Sequence, residues 1–183
     1  MKETVNVIII HWEKIPFSRE NILNLNKSHD HGIYSIYGDH YAYGKESLLY
    51  IGKAQDRTFA IRMTDGDRDY YDFEESTAQP KYIRLGFITK GYHQDENERY
   101  NVAEYEANWK NNIAIAEQIL ISTHSPAFNK DLRNRLSQVK YPEDYLIINK
   151  GDYGSLLPEL STIRNSYKYY NFIDTYLGAE QKT

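Results

Sequence analysis

The hydrophobic and polar positions divide the chain into short, well-punctuated segments. Val5 to His11 is a run of β-branched residues that reads as a strand, and Pro16 ends it. Ser18-Arg-Glu-Asn then predicts a short helix running to about Leu25, and His29-Asp-His-Gly32 a turn. Ile33 to Tyr37 and Ser47 to Ile51 read as strands, with Gly38 to Gly44 between them as the tip of a hairpin bounded by Gly32 and Gly52. Asp56 predicts an N-cap, and Phe59 and Met63, four apart, a short helix over Arg57 to Met63. Tyr82 to Thr89 alternates and predicts a third strand. The clearest helix covers Asn101 to Ile121: Tyr105, Trp109, Ile113, Ala116 and Leu120 form one stripe at helical spacing, and Pro126 marks its end. Tyr145 to Ile148 reads as another strand, Leu156-Leu-Pro as a loop or strand start, and Ile163 to Leu177 as a tyrosine-rich helical tail.

Composition narrows the picture. A length of 183 residues suits one domain with its own core. The absence of cysteine excludes a disulfide framework, zinc ribbons, iron–sulfur clusters and a cysteine nucleophile. The longest aliphatic stretch, Val5 to Ile10, falls far short of the ~20 residues of a membrane span, and the N-terminus lacks the pattern of a secretory signal. No membrane association and a cytoplasmic location are therefore expected. The net charge of −4 carries no overall basic footprint for nucleic acid, but the acids are concentrated. Asp65, Asp67, Asp69, Asp72, Glu74 and Glu75 form one cluster, and Asp95, Glu96, Glu98, Glu104 and Glu106 a second. The 18 tyrosines suit half-buried strands, and equally suit stacking on bases.

Two tripeptides carry the functional signal: Gly32-Ile33-Tyr34 and Tyr50-Ile51-Gly52, one on each arm of the predicted hairpin. Lys53-Ala54 follows the second. Arg62 comes 12 residues beyond Tyr50, on the next helix; Glu117 lies on the long helix, and Pro126 and Asn129 come after it. In order and context this set resembles the GIY-YIG nuclease family over about residues 30–130. The spacing between Tyr34 and Tyr50 is longer than in the shortest members, and an acidic loop stands where basic residues are often found. Arg57 and Arg62 compete for the family's arginine; Arg62 is favoured because Arg57 sits at the helix start. The resemblance implies an α/β (α+β) fold with a small central, mainly antiparallel sheet flanked by helices. Residues 1–29 and 131–183 would be N- and C-terminal additions to one domain.

The resemblance also implies a metal-dependent endonuclease acting on DNA. Phosphodiester hydrolysis needs an activated water and a means of neutralising developing charge. Glu117 would hold one Mg²⁺ or Mn²⁺, which keeps several waters and takes phosphate oxygens. The hydroxyls of Tyr34 and Tyr50 converge if both rings face the same side of the hairpin. Tyrosine ionises near pH 10, so a neighbouring cation such as Arg62, Lys53 or the metal would be needed to make it a base. As in the family, Tyr34 would take the proton from water, Tyr50 would position the water or a phosphate oxygen, and Arg62 would fork the phosphate. Asn129 would orient a backbone loop or the metal's surroundings. His124 is either a proton shuttle or leaving-group acid, or a helix C-terminal histidine favoured by the dipole. His29, Asp30 and His31 resemble a metal cluster only superficially. Lys53, Arg57 and the basic stretch Lys130, Arg133, Arg135 are candidate nucleic-acid contacts. RNA in place of DNA stays open, as does a homodimer for a restriction-type enzyme. So does a different class: a binding or interaction module of the same fold that cuts poorly or not at all.

Overall fold

The computed structural model describes residues 5–65, 77–89, 107–129 and 144–162. These form a mixed α/β structure around a six-stranded, mostly antiparallel sheet. In chain order the elements are β1 (Val5–Pro16), α1 (Arg19–Leu23), β2 (Gly32–His40), β3 (Gly44–Ala54), α2 (Phe59–Thr64), β4 (Ala78–Thr89), α3 (Ala107–His124), β5 (Asp144–Gly151) and β6 (Glu159–Ser161). The strands lie in the order β3-β2-β4-β1-β5-β6. Among the described residues only β1 and β5 run parallel, with Val5 opposite Asp144 and Trp12 opposite Gly151.

Side chains alternate across a strand, so neighbouring residues feed opposite layers. Ile33 joins the layer under α3, with Ile8, Ile10, Trp12, Ile113, Ala116 and Leu120. Tyr34 and Ile36 join the layer under α1 and α2, with Ile22, Phe59, Met63, Ile83 and Leu85. Because both faces are covered, every residue of β2 from Gly32 to Gly38 is buried. Gly32 is obligatory on two counts: its φ is +152°, and a Cβ there would run into the carbonyl oxygen of Gly86 on β4.

The sequence expectations meet four differences. The cap of α2 is Thr58, not Asp56: the Thr58 hydroxyl accepts from the Ile61 amide at 3.4 Å, while Asp56 is drawn to Lys110 at 2.7 Å. The remaining amides at the start of α2 find partners outside the helix, Phe59 on the Asp30 carbonyl and Ala60 on that of Leu25. Helix α1 is capped by Ser18 but stops at Leu23, two residues early. The strands are longer than the alternation suggested, since β1 still pairs at Pro16 and β4 already pairs at Ala78. Finally, β1 is no peripheral addition. It sits between β4 and β5, in the middle of the sheet, so three of the six strands come from outside residues 30–130. Tyr105, the start of the long helix, the acidic loop from Asp67 onward, the cluster from Asp95 to Glu106, the basic stretch and the tail from Ile163 lie outside the described residues. Among the described residues, no helix is long and apolar enough to cross a membrane.

Candidate active site

The site is organised by four residues of one edge strand, Tyr50 to Lys53 of β3. β2 borders β3 on one side, and among the described residues no strand pairs with the other. An open strand edge leaves amides and carbonyls without partners. The segment after α3 covers it instead: Ala127 and Phe128 donate to the carbonyls of Leu48 and Leu49, and Asn129 completes the row. The Asn129 side chain mimics a backbone unit. Its Oδ1 accepts from the Ile51 amide at 2.9 Å and its Nδ2 donates to the Ile51 carbonyl at 2.8 Å. Asn129 is buried, so of its two expected roles the structure displays the backbone-orienting one.

Register places the two tyrosines. Tyr34 lies opposite Gly52, and Tyr50 opposite Ile36. They are therefore diagonal neighbours on one face, and their rings stack with centroids 6.1 Å apart and planes at 28°. Leu49 is an extra residue in β3 between the pairs Ile36–Tyr50 and Tyr37–Leu48, a bulge that sets the aim of Tyr50. Phe59 of α2 closes on the Tyr34 ring edge-on at 6.2 Å. Gly52 makes room for the Tyr34 ring: a Cβ there would lie 2.5 Å from both the hydroxyl and the ring carbon that bears it. Tyr34 is fully buried, and Tyr50 is partly exposed.

Lys53 joins the other parts. Its carbonyl accepts from Arg62 Nε at 3.2 Å, which holds the guanidinium at the end of the second tripeptide. Among the described residues no carboxylate pairs with Arg62. The Lys53 side chain, opposite Ile33 in the register, is on the α3 face, and its Nζ lies 2.9 Å from Glu117 Oε2. Glu117 follows Ile113 by one turn on the shoulder of the buried stripe, and its side chain is only 13 % exposed. Tyrosines and glutamate thus stand on opposite faces of the sheet and are linked round β3 through Gly52 and Lys53.

No family model, curated protein or solved structure matches the chain.

Arg57 and His124 stand outside the cluster. Arg57 is exposed and paired with Asp65. His124 is two helical turns from Glu117, about 10 Å along the axis. Its Nε2 accepts from the Leu157 amide at 3.4 Å, and burial pushes its pKa down to about 4. At this helix C-terminus, burial outweighs the dipole that would favour a charged imidazole. It pins the end of α3 to the β5–β6 loop. Lys130, Arg133 and Arg135 lie outside the described residues. His31 packs edge-on against Trp109 at 5.9 Å, and burial lowers its pKa. Asp30 is engaged by the Lys27 amide at 2.8 Å. Among the described residues, no three His, Cys, Asp or Glu side chains gather as a metal site.

A site completed by substrate asks for less. Magnesium is often held by one or two carboxylates, with waters and phosphate oxygens filling the rest. Glu117 supplies one such carboxylate, so the donor set fits a single divalent cation, provided Lys53 yields its place.

Sequence reasoning overlooked a second polar cluster. Arg84, buried in β4, donates to Asp152 at 3.0 Å and lies 4.2 Å over the Tyr37 ring. Gly154, with φ +65°, passes close against its guanidinium. The signal was an arginine between Ile83 and Leu85, in the apolar part of the strand.

Proposed function

We propose that the chain is a metal-dependent endonuclease that hydrolyses phosphodiester bonds in DNA, as a stand-alone or restriction-type enzyme. One observation carries this reading: Tyr34, Tyr50, Arg62 and Glu117, from two strands and two helices, all engage the segment Tyr50–Lys53. A pair of hydroxyls and a forked cation on one face of the sheet, and a carboxylate on the other, are thus tied to one strand segment; these are the kinds of group that in-line hydrolysis of a phosphodiester uses. In this mechanism Tyr34 takes the proton of the attacking water, and Tyr50 orients the water or a phosphate oxygen. Arg62, with its Nε tied to the backbone, offers its terminal nitrogens to the phosphate. Asn129 holds Ile51, and with it the spacing between Tyr50 and Gly52. Glu117 would hold the Mg²⁺ or Mn²⁺, whose chemistry is to stabilise charge on the phosphoryl oxygens. Direct attack by water predicts inversion at phosphorus. The preference for DNA over RNA rests on the resemblance.

The test is cleavage of supercoiled plasmid, linear duplex, single-stranded DNA and RNA with Mg²⁺ or Mn²⁺, beside Glu117→Ala. Metal-dependent cleavage that vanishes in the variant supports the reading. Discrete fragments point to a restriction-type enzyme, and a smear to a nonspecific one. A second reading, a nucleic-acid-binding module without cleavage, is favoured by the complete burial of Tyr34. Tight binding by a folded protein with no cleavage of any substrate would establish it.

A further inference from the structure

Glu117 already holds a cation, the ammonium of Lys53 at 2.9 Å. The pair is asymmetric. Glu117 is fixed on a long helix and 13 % exposed, whereas Lys53 is 29 % exposed on a flexible four-carbon stem. Lys53 can therefore leave by rotation of its own side chain, with its backbone still held by β2 and by Arg62. Without a partner the largely buried carboxylate would be a costly charge. Asp56 also acts on Lys53 electrostatically, but its carboxylate is engaged by Lys110 at 2.7 Å.

Resting on the reading of Glu117 as the cation's ligand, we propose that Lys53 is an internal stand-in for the divalent ion. It neutralises Glu117 until the ion binds, then moves off the carboxylate to a phosphate oxygen of the nucleic acid. Before the exchange the pair contributes no net charge to the site. With the ion on Glu117 and Lys53 released beside Arg62, the site becomes strongly positive. Metal and nucleic acid therefore bind cooperatively, each raising the affinity of the other by the same factor. The ion must also displace the lysine, so its apparent affinity falls with the fraction of time Lys53 spends on Glu117.

The test is a Mn²⁺ titration of the full chain without nucleic acid, followed by the electron paramagnetic resonance of free Mn²⁺. It compares wild type, Lys53→Met, Lys53→Arg and Glu117→Gln. If the ion pair is populated for about two-thirds to nine-tenths of the time, Lys53→Met tightens Mn²⁺ binding about three- to tenfold. Lys53→Arg weakens it, because a guanidinium grips a carboxylate with two parallel hydrogen bonds. Glu117→Gln abolishes it. Equal or weaker binding in Lys53→Met overturns the stand-in and leaves the metal site intact. Binding that survives Glu117→Gln, or its absence in wild type and Lys53→Met alike, overturns the Glu117 reading itself. Should Lys53→Met fail to fold, lysine side-chain NMR of the wild type decides the matter. The Lys53 ammonium resonance, assigned by its absence in Lys53→Arg, shifts on adding Mg²⁺ if the lysine is displaced. An unmoved resonance under saturating Mg²⁺ overturns the proposal.

Discussion

Asn129→Ala isolates what holds the candidate site in shape. The substitution removes two hydrogen bonds, at 2.9 and 2.8 Å, and strands the amide and carbonyl of Ile51 on the outer edge of β3. Ile51 is fully buried, so each group loses its partner without ready access to water. A buried group left unpaired costs about 1–3 kcal/mol. Two such groups on an edge strand, where some solvent enters after the truncation, place the loss at about 2–4 kcal/mol. At about 2–4 °C per kcal/mol for a chain of this size, Tm falls by roughly 4–16 °C. Urea unfolding measures the same quantity as a lower midpoint with unchanged slope. Asn129→Asp is the control. It keeps an acceptor for the Ile51 amide but sets a carboxylate against the Ile51 carbonyl, so at neutral pH it is no better than alanine. Protonation restores the donor, and the deficit narrows at low pH. A loss below about 0.5 kcal/mol in Asn129→Ala, the scale of an ordinary surface change, would refute the claim that this side chain secures the strand.

Gly52→Ala forces the Tyr34 ring to move, because the new methyl would sit 2.5 Å from its hydroxyl; a cost of about 1–3 kcal/mol in urea unfolding and a marked fall in cleavage are expected. His124, neutral in the fold with its pKa pushed down to about 4, titrates near its ordinary value of 6.5 once unfolded. The unfolded chain then binds the proton more readily, so this contribution to stability is complete above about pH 6.5 and is lost as pH falls toward 4. His31, lowered in the same direction, adds to the slope; His124→Gln should flatten the stability–pH profile in that window without abolishing the slope. Residues 30–130 expressed alone should fail to fold, as judged by amide NMR dispersion, because β4 would lose β1 along eight paired positions from Ile9 to Pro16.

The local pattern carried much of this architecture. The hairpin was legible because Gly32 and Gly52 bracket two apolar runs, and α3 because Trp109, Ile113, Ala116 and Leu120 repeat at helical spacing; all four are buried. Tyr34 and Tyr50 were expected to share a face if the register allowed, and their stacked rings show that it does. What escaped the sequence was nonlocal. Nothing near Asp56 announces that Lys110 competes for its carboxylate and leaves the cap to Thr58. The pairing of β1 with β5 depends on residues at opposite ends of the described chain, so β1 read as an appendage. Lys53 was read as a candidate nucleic-acid contact, and its pairing with Glu117, set by alternation from Gly52, was not legible locally. Arg84 and Asp152 meet only because the β5–β6 loop returns over β4.

The central position of β1 also fixes an order of events during synthesis. Of the six strands it leaves the ribosome earliest, and β4 can dress one of its edges once Thr89 has emerged. The other edge, along Val5 to Trp12, waits for Asp144 to Gly151. At about 5–20 residues per second, translation from Pro16 to Asp144 takes roughly 6–26 seconds. Through that interval the Val7-Ile8-Ile9-Ile10 run presents an unpaired, strongly apolar strand edge, the kind of template on which chains aggregate. A nascent chain halted before Asp144 therefore keeps that edge open, and a strand translated late protects one translated early.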